Sequence, residues 1–206
     1  FSNLTGSRQK IGNWPGVTVE RKVGVFHLGE KSFSVVDLPG IYSLSAYAED
    51  EQIARCFLLS GKADLVINIV DATNLERNLY LTTQVLEMKV PLVVVLNMTD
   101  LAEKRGIQVD ARHLEKHLGC PVIAISAIRK MDIDKTRQVL AAAADRPAVP
   151  EARVEYPDEV EKAVGELIPR LGELSALLGA DPRWAAVKLI EGDDWVTGKV
   201  VDRTGL

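Results

Sequence analysis

The stretch LVVVLNMTD, Leu92–Asp100, decides the fold. Five apolar residues, Leu92 to Leu96, run without a break into Asn97. A run this short and continuous suits a strand covered on both faces, as in a parallel sheet. Leu65–Val70 and Val122–Ile125 have the same character. Helical patterns fall between them. Glu49-Asp50-Glu51 places acid in a first turn, and Ile53, Ala54, Phe57 and Leu58 share one face, with Gly61 suited to the position past the end. Thr73 to Glu76 fits a capping box ahead of Leu79, Val85 and Leu86. Ala111–Leu118 and Asp134–Ala144 read as further helices. Upstream, Val17–Leu28 and Phe33–Val36 flank a Gly29-Glu30-Lys31 turn and read as a hairpin. Strands alternating with helices predict an α/β fold with helices on both faces of the sheet.

The pattern changes at Arg146-Pro147-Ala148-Val149-Pro150, which reads as a linker. Beyond it, Val160, Val164, Leu167, Leu171, Leu174 and Leu178 form one helical stripe, which Pro169 should kink or split. Gly179 should end that helix, and Asp181-Pro182 should start another with Trp184 and Val187 inward. The expected units are 1–146, an α/β domain, and 151–206, a small helical one.

Composition narrows the function. The chain has 206 residues, 47% hydrophobic, enough apolar material for a real core. A net charge of −4 and 5% aromatics argue against nucleic acid as partner. Cys56 and Cys120 lie far apart and read as reduced thiols, Cys56 as a small buried hydrophobe. His113 and His117 sit four apart on an expected helix and read as solvated surface groups. No apolar run approaches the roughly eighteen residues of a membrane helix.

Three short motifs follow the expected strands, where open α/β sheets bind ligands. They are Asp37-Leu38-Pro39-Gly40, Asn97-Met98-Thr99-Asp100 and Ser126-Ala127-Ile128. In the first, the Asp can hold a magnesium-bound water and the Gly can offer its N–H to a terminal phosphate. In the second, the carboxylate can accept from N1 and the 2-amino group of guanine, a donor pair adenine lacks. The Asn can tie neighbouring loops together, and a backbone N–H of the third can donate to guanine O6. Taken singly, DLPG could equally be a Pro-Gly turn capped by Asp37. The order of the three, each after a strand, is what favours a guanine-nucleotide site.

Longer stretches carry a family resemblance. LTGSRQKIGNWPGVTVERK (Leu4–Lys22), VVDLPGIYSL (Val35–Leu44), DEQIAR (Asp50–Arg55), DATNLERNLYLT (Asp71–Thr82), VLNMTDLAEKRGI (Val95–Ile107) and RWAAVKLIEGD (Arg183–Asp193) resemble the cytosolic part of the ferrous-iron transport protein B (FeoB) family. The resemblance implies a Ras-like P-loop GTPase fold, a mixed, mostly parallel sheet with helices on both faces, followed by a small helical regulatory domain. It implies GTP or GDP with Mg2+, and K+, as cofactors. Gly16, Val17, Thr18, Val19 and Glu20 would line the nucleotide, with Thr18 and Asp37 serving Mg2+, the latter through water. Thr18 and Gly40 would serve hydrolysis, and Asn13 and Trp14 would match a potassium-binding loop. For Thr18, an ordinary strand threonine stays an open alternative. Ile41 stands where a water-orienting glutamine often follows DxxG, so intrinsic hydrolysis should be slow. The implied partners are a membrane-spanning iron permease in the same polypeptide, a small cytosolic accessory protein and further copies of the chain. The implied place is the cytoplasmic face of a bacterial inner membrane.

The chain departs from that family in three places. No GxxxxGKS/T phosphate loop occurs; Gly192–Val200 is the nearest string, with one residue too many and Val200 in place of a hydroxyl. A first strand and phosphate loop are expected just ahead of the residue matching Phe1. Tyr47–Glu51 is shorter than the family's second switch, and Met131-Asp132-Ile133 stands where a Gly-Ile pair often follows Ser126-Ala127. Two rival readings are a soluble translation or ribosome-assembly GTPase, disfavoured by the acidic tail, and a nucleotide-free interaction module.

Overall fold

The computed structural model describes residues 1–6, 9–45 and 47–204. A short helix, α1 (Ser2–Thr5), leads into three antiparallel strands, β1 (Gln9–Asn13), β2 (Glu20–Leu28) and β3 (Lys31–Asp37). Then come α2 (Glu49–Leu59), β4 (Val66–Asp71), a 3-10 turn (Ala72–Asn74) and α3 (Leu75–Glu87). β5 (Leu92–Asn97), α4 (Thr99–Lys104), α5 (Ala111–Leu118), β6 (Val122–Ala124) and α6 (Lys130–Asp145) complete the α/β unit. Strands β4, β5 and β6 pair in parallel.

β5 shows why the sheet is covered on both sides. Leu92, Val94 and Leu96 feed one apolar cluster, while Val93 and Val95 feed a second. Alternation along the strand sends successive side chains to opposite faces. The first cluster takes in α2, α3 and the C-terminal helices; the second takes in Leu140 of α6 together with Phe26 of β2. Each fully buried Val or Leu here contributes about 1.5–3 kcal/mol.

Among the described residues the strands divide into two sheets, β1-β2-β3 and β4-β5-β6. The expected single mixed sheet is therefore interrupted between β3 and β4, each of which pairs on one edge only. The second apolar cluster nevertheless joins the halves, since Phe33 and Val35 of β3 and Ile67 of β4 all pack against it. α1 is pressed on the antiparallel half. A Cβ at Gly24 would lie 2.6 Å from the Thr5 side chain, so only glycine admits this approach.

Several local expectations are corrected. The strand expected from Val17 begins at Glu20, because residues 14–19 form the turn of a β1–β2 hairpin. β1 lies outside the expected strands: its residues are mostly exposed and carry no apolar alternation. The capping box at Thr73–Glu76 does not form. Asp71 instead accepts from Thr73 N and Oγ1, both at 2.8 Å, and winds a 3-10 turn first. The helix expected from Asp134 starts four residues earlier, at Lys130. Cys56 is exposed, because it lies on the outer side of α2; Cys120 is buried.

The C-terminal unit is three helices, α7 (Asp158–Leu178), α8 (Pro182–Ile190) and α9 (Asp194–Thr204). Pro169 does not split α7, which runs unbroken through it to a left-handed Gly179. Asp181 caps α8 by accepting from Arg183 N at 2.8 Å, and Trp184 is 1% exposed. Val164, Leu171, Leu174 and Trp184 belong to the same cluster as Leu58 and Leu92, so the two units share one core. The connecting segment is strapped down as well. Lys89 Nζ donates to the carbonyls of Pro150 at 3.1 Å and Ala152 at 2.9 Å, and Tyr156 Oη donates to the buried Glu87 carboxylate at 2.8 Å. Among the described residues, no helix is long and apolar enough to cross a membrane.

Candidate functional site

The loops after β5 and β6 are joined residue by residue. Asn97 Oδ1 accepts from the Ala127 N–H at 3.0 Å. Thr99 donates both its N–H, at 3.2 Å, and its hydroxyl, at 2.9 Å, to the Ile125 carbonyl. Between them Met98 adopts φ +62°, a left-handed backbone that side-chain-bearing residues seldom take. That turn starts α4 and sets Asp100 in its first turn. The neighbouring Ser126 side chain is the main reason the Asp100 pKa lies below the ordinary value. Asp100 is thus held as an anion, an acceptor for paired N–H donors.

The third motif has its own support. The Ser126 N–H donates to Asp132 Oδ2 at 2.8 Å, and the Arg129 N–H closes a turn on the Ser126 carbonyl at 2.9 Å. Asn3 Nδ2 donates to the Ala127 carbonyl at 2.8 Å, and Arg137 holds α1 by donating to the Leu4 carbonyl at 2.7 Å. Ile128 is 84% exposed at the rim. In the sequence, Asp132 stands only as part of a departure from the family pattern. Its role depends on a helix that starts at Lys130, which the apolar pattern did not reveal.

Asp37 ends β3 opposite Lys22, half-buried. Leu38 and Ile41 turn into the core cluster, so the Ile41 side chain is occupied in packing. Gly40 is exposed, and a Cβ there would meet no heavy atom within 4 Å. Among the described residues, no contact requires glycine at that position. The following segment is pinned by the Leu44 N–H donating to Gln84 Oε1 at 2.6 Å, a bond between residues forty apart that sequence reading missed.

Thr18 stands apart from Asp37. Lys22 faces Asp37, and β2 extends two residues further to Glu20, about 7 Å at ~3.4 Å per residue, before the turn that carries Thr18. Thr18 is exposed there, as are Gly16 and Glu20, while Val17 and Val19 are half-buried. Gly16 has φ +80°, which the turn needs. Asn13 is an exposed β1 residue opposite Glu20. Trp14 is 7% exposed, edge-on to Phe57 of α2 at 5.3 Å between ring centres, with Arg21 over its face. His113 and His117 are both exposed on α5.

This arrangement can be set beside known proteins. Residues 1–140 match the family model described as ferrous iron transport protein B, and residues 156–204 match the FeoB cytosolic helical domain. The chain belongs to the ferrous iron transport protein B family. The Fe(2+) transporter FeoB of Escherichia coli (strain K12) is 44% identical over 205 residues, covering 94% of this chain and 25% of the relative. That of Salmonella choleraesuis is 43% identical over 199 residues, with the same coverage. The chain therefore spans about a quarter of the length of these FeoB relatives.

Solved FeoB structures share the fold. The cytosolic domain of T. maritima FeoB in a GDP form superposes with a TM-score of 0.90 at 36% identity, covering 98% of this chain and 78% of that one. Its GMPPNP form gives 0.90 at 35%, covering 98% and 79%. The cytosolic domain of L. pneumophila FeoB gives 0.87 at 39%, covering 97% and 78%. The architecture is that of a FeoB G-domain followed by its helical domain.

Proposed function

We propose that this chain is the guanine-nucleotide switch of a ferrous-iron membrane transporter, a slow GTPase that regulates iron uptake by a permease in the same polypeptide. The observation that carries it is the joined pair of loops after β5 and β6: Asn97 bonded to Ala127 and Thr99 bonded to Ile125, with the Asp100 carboxyl beside Ser126. Asp100 would accept from N1 and the 2-amino group of guanine, and the Ser126–Ile128 backbone would donate to O6. Met98 and Thr99 shape that loop. The solved relatives in GDP and GMPPNP forms support the same reading.

Toward the phosphates, Gly40 would offer its N–H, with Leu38 and Pro39 setting the turn. Gly16, Val17, Thr18, Val19 and Glu20 would line the nucleotide once their hairpin approaches. Asp37, through water, and Thr18 would hold a magnesium ion, which supplies charge neutralisation at the phosphates when bound. The residues fit such an ion: Asp37 is a half-buried hard-oxygen donor, and Thr18 carries an exposed hydroxyl. Magnesium commonly takes few protein carboxylates and fills its shell with phosphate and water. For potassium, the exposed Asn13 amide is an available oxygen donor, whereas the Trp14 ring is spent on packing. Hydrolysis would be slow because Ile41 cannot orient water.

The functional units are proposed as 1–146 and 151–206, the second acting on the nucleotide site through its shared core. A strand bearing a phosphate loop would fit between β3 and β4, whose free edges it would pair. The location proposed is the cytoplasmic face of the bacterial inner membrane, with a small accessory protein and further copies of the chain as additional partners.

The test is a titration with fluorescent GDP and ADP analogues in Mg2+, with K+ or Na+, on protein whose N-terminus is confirmed by intact mass. Micromolar, guanine-selective binding is expected, and Asp100→Ala should cut the selectivity by a factor on the order of 100 or more. Equal binding of both nucleotides, or binding of neither by protein that carries a phosphate loop, would overturn the proposal.

A further inference from the structure

Helix α5 carries two imidazoles on one face. His113 and His117 stand four residues apart, one helical turn, so their side chains leave on the same side. Their ring centres are 4.1 Å apart, with the planes tilted by 39°. Both residues are exposed, so the pair meets solvent and fills no core. The helix that presents them is well anchored. Asp110 caps its start, accepting from Arg112 N and His113 N, each at 3.0 Å. Gly119 ends it in a left-handed conformation, its N–H donating to the Glu115 carbonyl at 2.9 Å. Leu114 and Leu118 hold the opposite side on the core.

The hydrogen bonds fix which nitrogen is available. His117 Nδ1 lies 2.9 Å from the His113 carbonyl oxygen. A carbonyl oxygen only accepts, so Nδ1 carries the proton and the neutral ring keeps its lone pair on Nε2. Metal-bound histidines have this same arrangement, one ring nitrogen donating to a backbone carbonyl and so orienting the other toward the ion. The His113 ring makes no hydrogen bond among the described residues, so its nitrogens are uncommitted. Two metal–nitrogen bonds of about 2.0–2.1 Å together span a gap like the one between these rings. Glu115, on the same helix, is engaged elsewhere, its Oε2 accepting from Val122 N at 3.2 Å. Among the described residues no group of three or more His, Cys, Asp or Glu gathers, which leaves the further positions to water.

We propose that His113 and His117 form a two-imidazole clip for a divalent first-row transition-metal cation, with water in its remaining positions. Imidazole suits zinc, copper, nickel and iron, whereas magnesium and calcium prefer oxygen. Mounting both rings on one turn makes the second bond intramolecular, so the pair binds more tightly than two separate histidines. The bound ion also staples the last turn of α5, because it joins residues one turn apart. The clip lies away from the nucleotide loops. α5 ends at Leu118, shortly before β6 begins at Val122, which puts its last turn toward the sheet end opposite Asn97 and Ser126. It stands independently of the guanine-nucleotide reading.

The experiment is a Zn2+ titration of the chain, free of any histidine tag, followed by NMR at the imidazole rings. The chain has three histidines, and His27 of β2, with Nδ1 2.8 Å from Ser32 Oγ, is the internal control. His113 and His117 are expected to shift together on one binding curve, with His27 responding only at much higher Zn2+. The Gly119 amide should exchange more slowly once Zn2+ is bound. Reading the rings keeps zinc taken by the exposed Cys56 thiol out of the measure. His113→Gln and His117→Gln should each weaken binding at the remaining ring by about tenfold or more, while His27→Gln leaves the curve unchanged. His113→Gln retains the carbonyl that orients His117, so its effect reports the missing ring. Mg2+ in place of Zn2+ should move neither ring. Three histidines that titrate alike, or a single Gln variant whose remaining ring keeps the wild-type affinity, would overturn the clip.

Discussion

Replacing Gly179 by alanine tests how the two units meet. Gly179 ends α7 with φ +63°, and a Cβ there would strike the Leu59 carbonyl at the end of α2. Two costs follow. The left-handed conformation costs a residue with a side chain about 1–2 kcal/mol. Forcing a methyl against a backbone oxygen, which cannot swing aside as a side-chain tip can, costs about 1–3 kcal/mol more by overpacking. Together they give roughly 2–5 kcal/mol, or a fall in Tm of roughly 4–20 °C for a chain of this size. Gly192 supplies the control. It has φ +73° between α8 and α9, and a Cβ there meets nothing within 4 Å. Gly192→Ala should therefore show only the strain. Urea unfolding followed by circular dichroism measures both variants against wild type. Equal losses would refute the close approach of α2 and α7, and with it the shared core as the reason the helical unit docks.

Other outcomes follow from the buried polar groups. Two Arg183 hydrogen bonds hold the Glu161 carboxyl down at about 2, so its contribution is present above pH 4.5 and lost as pH falls toward 2. Glu161→Gln should flatten the acid limb of a stability–pH curve in that window. Burial raises the Glu87 carboxyl above its ordinary value, so its contribution is present below pH 4.5 and lost as pH rises through the folded value. Glu87→Gln, which can still accept from Tyr156, should abolish that decline without loosening the linker. Lys89→Met removes a charged donor from three linker carbonyls and should cost about 1.5–3 kcal/mol, with faster proteolysis near Pro150–Ala152. Of the two thiols, Cys56 should react with a disulfide reagent in the native protein. Cys120, buried and with its pKa raised to about 11, should react only on unfolding.

How much was legible depended on how local the cause was. The apolar run ending at Asn97 could be read because β5 needs both faces covered, which leaves its mark on five consecutive positions. The end of α7 at Gly179 and the start of α8 at Asp181 were legible for the same reason, since a cap is a matter of two or three neighbours. β1 was not, because an edge strand with exposed residues has no apolar pattern to show. The capping box at Thr73 failed because Asp71, at the end of a strand, competed for the same amide. The candidate site divides in the same way. The three motifs lie in the chain for anyone to read, but Asp132 under Ser126 and Gln84 under Leu44 come from helices whose approach no spacing announces.

By itself, then, the sequence determined the kinds of element, their order and the motifs at the strand ends. Those depend on contacts between near neighbours, where side-chain period and backbone preference act directly. Only the tertiary structure decided that Trp14 rests on Phe57, that Arg55 is paired with Asp193 over a separation of 138 residues, and that the helical unit shares a core with the sheet. Those contacts form because apolar faces and a buried charge must find partners somewhere. Which partner they find is set by the packing of whole helices.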